Sequence, residues 1–289
     1  MGKHAYLIMA HNNFSQLKKL LRSLDYVDND IYLHIDKKTK DIPFYDLKSV
    51  VRQSQMSFIK RISVYWGHSS QIKCELNLLT AALSGGEYDY FHLISGVDLP
   101  LKPQEDIHRF FDEHSGKQFL QIGGGNDPFC RINSVHFRPH QYFSKPLRYL
   151  ESAINHFHVD RGEGKLKALG RSKLVKTANW FSITGDCAKY VVSQRKEILR
   201  FVRFSLCADE LFVGTLLYGT KYWDEIYKNE PSSDGHMRFI DWIHEGPKPH
   251  VFTMTDQQRL DESNLLFARK FDERVDSQII DYIVKKVSN

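Results

Sequence analysis

The chain has 289 residues, of which 42% are hydrophobic, 26% charged and 13% aromatic, and its formal net charge is +5. This composition excludes a disordered, collagen-like or small disulfide-scaffold protein, and the length accommodates one large α/β domain. The basic balance suits a phosphate-bearing ligand or an anionic membrane surface, and is too small to point to nucleic acid.

The first apolar run, residues 5–10 (AYLIMA), is continuous, as expected of a strand buried on both faces. After the turn-prone His11-Asn12-Asn13, Phe14, Leu17, Leu21 and Leu24 recur at helical spacing. Residues 31–35 (IYLHI) form the next strand, closing on Asp36-Lys37-Lys38. Strand, helix and strand in this order predict a βαβ unit opening a parallel sheet. Residues 57–64 read as a strand, and Ile72, Leu76, Leu79 and Leu83 put an apolar stripe on a helix that stops at Gly85-Gly86. Residues 89–95 (DYFHLIS) are a further strand. An open, mostly parallel sheet flanked by helices on both faces follows.

Beyond residue 120 the alternation stops. Glycines 123–125, Pro128, Pro139, Pro146 and a basic stretch from Lys165 to Lys176 read as an irregular, partly helical insertion over the open edge of the sheet. Order resumes with a strand at 178–184, helices near 186–201 and 207–218, and a last helix near 276–287. Without repeats or linkers, residues 1–289 are expected to form a single domain, a regular half at 1–122 followed by an insertion-bearing half at 123–289. Cys74, Cys130, Cys187 and Cys207 lie far apart without a CxxC pair, so free thiols are expected rather than a metal knuckle. The run at 5–10 is shorter than a signal h-region or a membrane span of about 20 residues, which leads us to expect a soluble, cytoplasmic protein.

The common catalytic signatures GxxxxGK[ST], HExxH and GxSxG are absent. Glycines 123–125 read as a phosphate cradle or a plain loop. Ligands of open α/β sheets bind beyond the carboxyl ends of the strands, which selects His11, Asp36 and Asp98 in Ser95-Gly96-Val97-Asp98. Asp36 fits an acceptor of sugar or base hydrogen bonds, or a turn aspartate. Asp98 fits a ligand contact, or a turn stabiliser beside a glycine that permits close approach. Asp28-Asn29-Asp30 spells DxD but precedes a strand, so it reads as a turn.

The ordered blocks AYLIMAHNNFSQLKKLLRSL, IYLHIDKK, YWGHSSQIKCELNLL, YDYFHLISGVDLPLK, ANWFSIT, ADELFVGTLL, RFIDWIHEGPKPHVFT and LLFARKFD resemble the core-2/I-branching glycosyltransferases, glycosyltransferase family 14, which also holds the protein xylosyltransferases. The resemblance covers about residues 5–275, and it implies that residues 1–122 are the nucleotide-sugar-binding half and 123–289 the insertion, catalytic and acceptor half. It implies a GT-A type fold, a UDP-sugar donor, inversion at the anomeric carbon and no required divalent metal. The family's general base falls on Glu210, with Asp209 as capping or orienting residue. Its diphosphate clamp falls on Lys270, with Arg269 as helper, and His250 stands where members commonly carry an arginine. Trp242 matches an acceptor-site aromatic, with His244 and Glu245 as further lining and Trp66 serving donor or acceptor. N-acetylglucosamine is the implied sugar, with xylose as the alternative. The resemblance further implies a glycan or lipid-linked acceptor. The lack of an anchor, unlike the Golgi-anchored animal members, points to a bacterial enzyme at the inner face of the plasma membrane.

Overall fold

The computed structural model describes residues 2–123, 128–137, 145–156, 161–228, 230, 234–242 and 248–288, apart from the side chains of Lys145 and Arg148. Five strands form the main sheet: β1 (His4–Ala10), β2 (Asn29–Ile35), β3 (Gln55–Phe58), β4 (Tyr90–Ser95) and, after a two-residue β5 (Leu99–Pro100), β6 (Ser182–Thr184). Their order is β3-β2-β1-β4-β6, the first four parallel and β6 antiparallel to β4. Alternation explains why β1 reads as one apolar run. Ala5 and Leu7 face the hydrophobic cluster that contains the Ser70–Gly85 helix, whereas Tyr6, Ile8 and Ala10 face the cluster of the Phe14–Leu24 and Ser277–Val287 helices. The expected open, mostly parallel sheet covered on both faces is therefore present.

Several local expectations need correction. The strand expected at 178–184 keeps sheet pairing over Ser182–Thr184 alone, because it meets β4 antiparallel at the sheet's edge. The strand expected at 57–64 pairs over Gln55–Phe58, and its continuation binds β2 by single bonds, Ile59 N to Leu33 O at 3.0 Å and Lys37 N to Ile62 O at 3.0 Å. The helix expected at 207–218 is a 3-10 turn, Ala208–Glu210, followed by Phe212–Leu217. Asn29 and Asp30 are not a turn: they open β2, where Asp30 pairs with Lys3 at 2.8 Å, at the end of the sheet away from the cleft described below.

A second sheet was not foreseen. It joins β5, β7 (Arg238–Ile240) and β8 (Phe267–Arg269) in the order β5-β8-β7. The described insertion is helical at Cys130–Asn133, Lys145–His156 and Gly162–Ala168. All four cysteines are free. Among the described residues no helix is long and apolar enough to cross a membrane.

Candidate active site

A cleft of about 450 Å³ opens beyond the carboxyl ends of β1, β2 and β4. Its first wall is built by Asp36, which is 7% exposed. The Asp36 carboxylate accepts from the amides of Lys38 (2.8 Å) and Val64 (3.3 Å), and Lys38 Nζ lies 3.4 Å away. Asp36 thus fastens the end of β2 to the 62–64 segment. His34, beside it, accepts from Ile62 N at 3.0 Å, and burial lowers its pKa to about 4 although Asp36 opposes the shift, so the ring is neutral.

The floor is cationic. Gly96 N binds Met9 O at 2.9 Å, and a Cβ on Gly96 would sit 3.0 Å from Ala10 Cβ, so glycine lets the turn after β4 lie against the end of β1. The turn is locked by Asp98, whose carboxylate accepts from Ser95 N (3.0 Å) and Ser95 Oγ (2.6 Å). Arg269, at the end of β8, places Nε 3.2 Å from Asp98 Oδ1, an ion pair off the line of a hydrogen bond. Its guanidinium lies 4.4 Å from the centre of the Trp180 ring, a cation–π contact. No hydrogen bond of its Nη groups to a described residue is present, and the side chain borders the cleft.

Beneath it, fully buried Arg238 donates to Phe181 O at 2.7 Å and Ser182 Oγ at 3.1 Å. Burial pulls Arg238 down to about 9, with Asp98 opposing, so it is cationic at neutral pH. Two arginines against one aspartate leave the floor with net positive charge. Lys270 follows Arg269, its carbonyl accepting from Phe252 N at 3.0 Å, and its half-buried side chain has no ion-pair partner among the described residues.

An acidic turn meets the same cleft from another side. Gln71, a cleft residue on the Ser70–Gly85 helix, donates to Asp209 Oδ2 at 2.8 Å. Burial, and next the charge of Glu210, raise Asp209 to about 6. Glu75, one helical turn after Gln71, is fully buried with neither carboxyl oxygen hydrogen-bonded; burial, and next the charge of Asp209, push its pKa well up. Glu210 turns outward instead and meets Arg131 Nη1 at 2.6 Å and Lys176 Nζ at 3.8 Å.

Of the residues singled out from sequence, His11, Asp36, Trp66 and Arg269 line the cleft, and Asp98 underlies it. Glu210 is not on the described lining; its neighbour Asp209 is tied to the cleft through Gln71. His250 and Lys270 are not on the described lining; Nε2 of His250 lies 2.8 Å from Asp256 Oδ2. Trp242 is also off that lining and is 52% exposed. His244 and Glu245 lie outside the described residues, as do Gly124 and Gly125 of the glycine run. Sequence reasoning gave no role to Gln71, Arg131, Trp180 or Arg238, and took Lys176 only as part of the basic stretch. Gln71 and Glu75, four residues apart on one face of the Ser70–Gly85 helix, were the one readable signal near the turn.

An α/β fold with a cationic-floored cleft at its strand ends, beside a turn bearing two carboxylates, defines a candidate site for an anionic, phosphate-bearing substrate. The family model of the core-2/I-branching enzyme matches residues 4–263. The chain belongs to that family, glycosyltransferase family 14. Xylosyltransferase 2 of Rattus norvegicus is 23% identical over 309 residues, which cover 96% of this chain and 33% of that protein. The xylosyltransferase of Ciona intestinalis is 23% identical over 305 residues with the same coverage. The chain thus spans about one third of the length of these curated relatives. Among solved structures, mouse xyloside xylosyltransferase 1 in its apo form aligns over 74% of this chain and 82% of its own, at TM-score 0.35 and 9% identity. Core-mannan synthase A from Aspergillus fumigatus, in its Mn/GDP form, aligns over 76% and 71% at TM-score 0.35 and 10% identity.

Proposed function

We propose that the chain transfers a sugar from a UDP-sugar to a hydroxyl of a glycan acceptor, with inversion. The observation that carries this reading is that a cleft with a net-positive floor is bonded, through Gln71 and Asp209, to the turn that bears Glu210. The acceptor oxygen attacks the anomeric carbon from the face opposite the diphosphate. As the new C–O bond forms, the bond to UDP breaks, and the acceptor's proton passes to Glu210. The departing diphosphate gains negative charge, which Arg269 and Lys270 meet without a divalent cation in this reading. Trp66, exposed at the rim, offers an aromatic face to a sugar ring.

For the sugar, the branching enzymes of the family favour UDP-N-acetylglucosamine, and the xylosyltransferases among the relatives favour UDP-xylose. One plate separates the two: thermal unfolding with UDP and each UDP-sugar, in EDTA and in manganese. A donor at about a hundred times its Kd stabilises by roughly 2.7 kcal/mol, a shift of several degrees. Stabilisation by one UDP-sugar in EDTA, with turnover that Glu210→Gln abolishes while the melting temperature holds, is the expected result. A shift seen only with manganese removes the metal-free mechanism. Undiminished turnover by Glu210→Gln removes Glu210 as base, and no shift with any donor removes the UDP-sugar reading.

A further inference from the structure

Glu210 is held from one side only. Arg131 Nη1 (2.6 Å) and Lys176 Nζ (3.8 Å) both approach the same oxygen, Oε2, and no described residue binds Oε1. Both cations are tied to the backbone that carries Glu210. The carbonyl of Arg131 accepts from Leu206 N at 3.0 Å, immediately before Cys207 opens the acidic turn. Thr177, next to Lys176, donates its amide to the Glu210 carbonyl at 2.8 Å. The Lys176 stem lies against Gly123, where a Cβ would come within 3.1 Å of Lys176 Cγ. Arg131, Glu210 and Lys176 are 30%, 33% and 35% exposed, so this is a half-open cluster and not a loose surface pair.

We infer that Arg131, assisted by Lys176, is a positioning residue for the base: it fixes Glu210 through Oε2 and leaves Oε1 to take the acceptor's proton. The arrangement selects one carboxylate rotamer, so the free oxygen is already aimed when the acceptor arrives. The inference rests on the reading of Glu210 as base.

The test is kcat and donor KM of Arg131→Gln, Arg131→Lys and Lys176→Gln, beside Glu210→Gln. Arg131→Gln should lower kcat roughly ten- to a hundredfold and leave donor KM unchanged, because the freed carboxylate samples rotamers that cannot take the acceptor's proton. Arg131→Lys keeps a cation beside Oε2, so kcat should recover in part. Lys176→Gln should lower kcat by less, and it carries the test if Arg131→Gln does not fold. If Glu210→Gln is inactive while Arg131→Gln and Lys176→Gln both keep kcat, this inference fails alone. If Glu210→Gln turns over normally, the reading of the base fails first.

Discussion

At the scale of single residues, Arg269 and Lys270 are neighbours with different duties. Arg269 is fastened to Asp98 and stacked on Trp180, so its charge is part of the floor itself. Lys270 lies off the described cleft lining with no ion-pair partner among the described residues, and in the proposed reading it is the cation that the diphosphate engages. Lys270→Ala should therefore weaken UDP binding roughly ten- to a hundredfold, the worth of a hydrogen bond to a charged group, and leave the melting temperature unchanged. Arg269→Met should weaken UDP and also lower the melting temperature, because Asp98 loses its cation in a buried turn. Calorimetric titration with UDP, paired with thermal unfolding, separates the two. An unchanged UDP affinity in Lys270→Ala rejects it as a clamp. His250 illustrates what position along the chain conceals: it sits where the family resemblance expects a donor cation, yet its ring turns to Asp256.

At the scale of elements, the cleft depends on how closely the turn after β4 approaches the end of β1. Gly96→Ala would place a methyl 3.0 Å from Ala10 Cβ. Overpacking of this kind costs about 1–3 kcal/mol and should lower the melting temperature by a few degrees. Ala10→Gly in the same chain should restore much of the loss, since it removes the opposing carbon. Additive losses in the double variant would show that the contact is not the cause. These ends were legible in the sequence because β1, β2 and β4 are buried on both faces and flanked by turn residues, so each reads as an apolar run. The second sheet was not legible. Its strands are two or three residues long, the paired residues of β5 and β8 lie 167 and 169 positions apart, and nothing in so short a run carries a period. The same holds for the site. His11, Asp36 and Asp98 follow from a rule about strand ends, but Arg131 and Lys176 reach Glu210 through an insertion whose path has no sequence signal.

At the scale of the whole molecule, the sheet encloses an unusual set of neutral rings. His4 stacks on His108 at 3.8 Å between ring centres, and its Nδ1 lies 3.1 Å from His92 Nε2. His92 Nδ1 in turn lies 2.8 Å from Ser182 Oγ, which receives a bond from Arg238. Burial lowers the pKa of His4, His92, His108 and His236, and takes His34 to about 4. A histidine with a depressed folded pKa stays neutral in the native state while the unfolded chain takes up a proton below about pH 6.5, so each of these five favours unfolding as pH falls. Asp209 and Glu75 act in the opposite sense: their raised pKa values let the folded protein hold protons that the unfolded chain releases above about pH 4. Five groups stand against two, so between about pH 5 and 6.5 unfolding should take up protons. Stability should therefore decline as pH is lowered from 6.5 to 5, even though no catalytic group is lost. Urea unfolding at half-unit pH steps measures this directly, because the slope of unfolding free energy against pH counts the protons. A flat or rising stability over that interval would mean that the buried histidines are already protonated in the native state, and the Arg238 side of the cluster would then have to carry a further positive charge beneath the cleft.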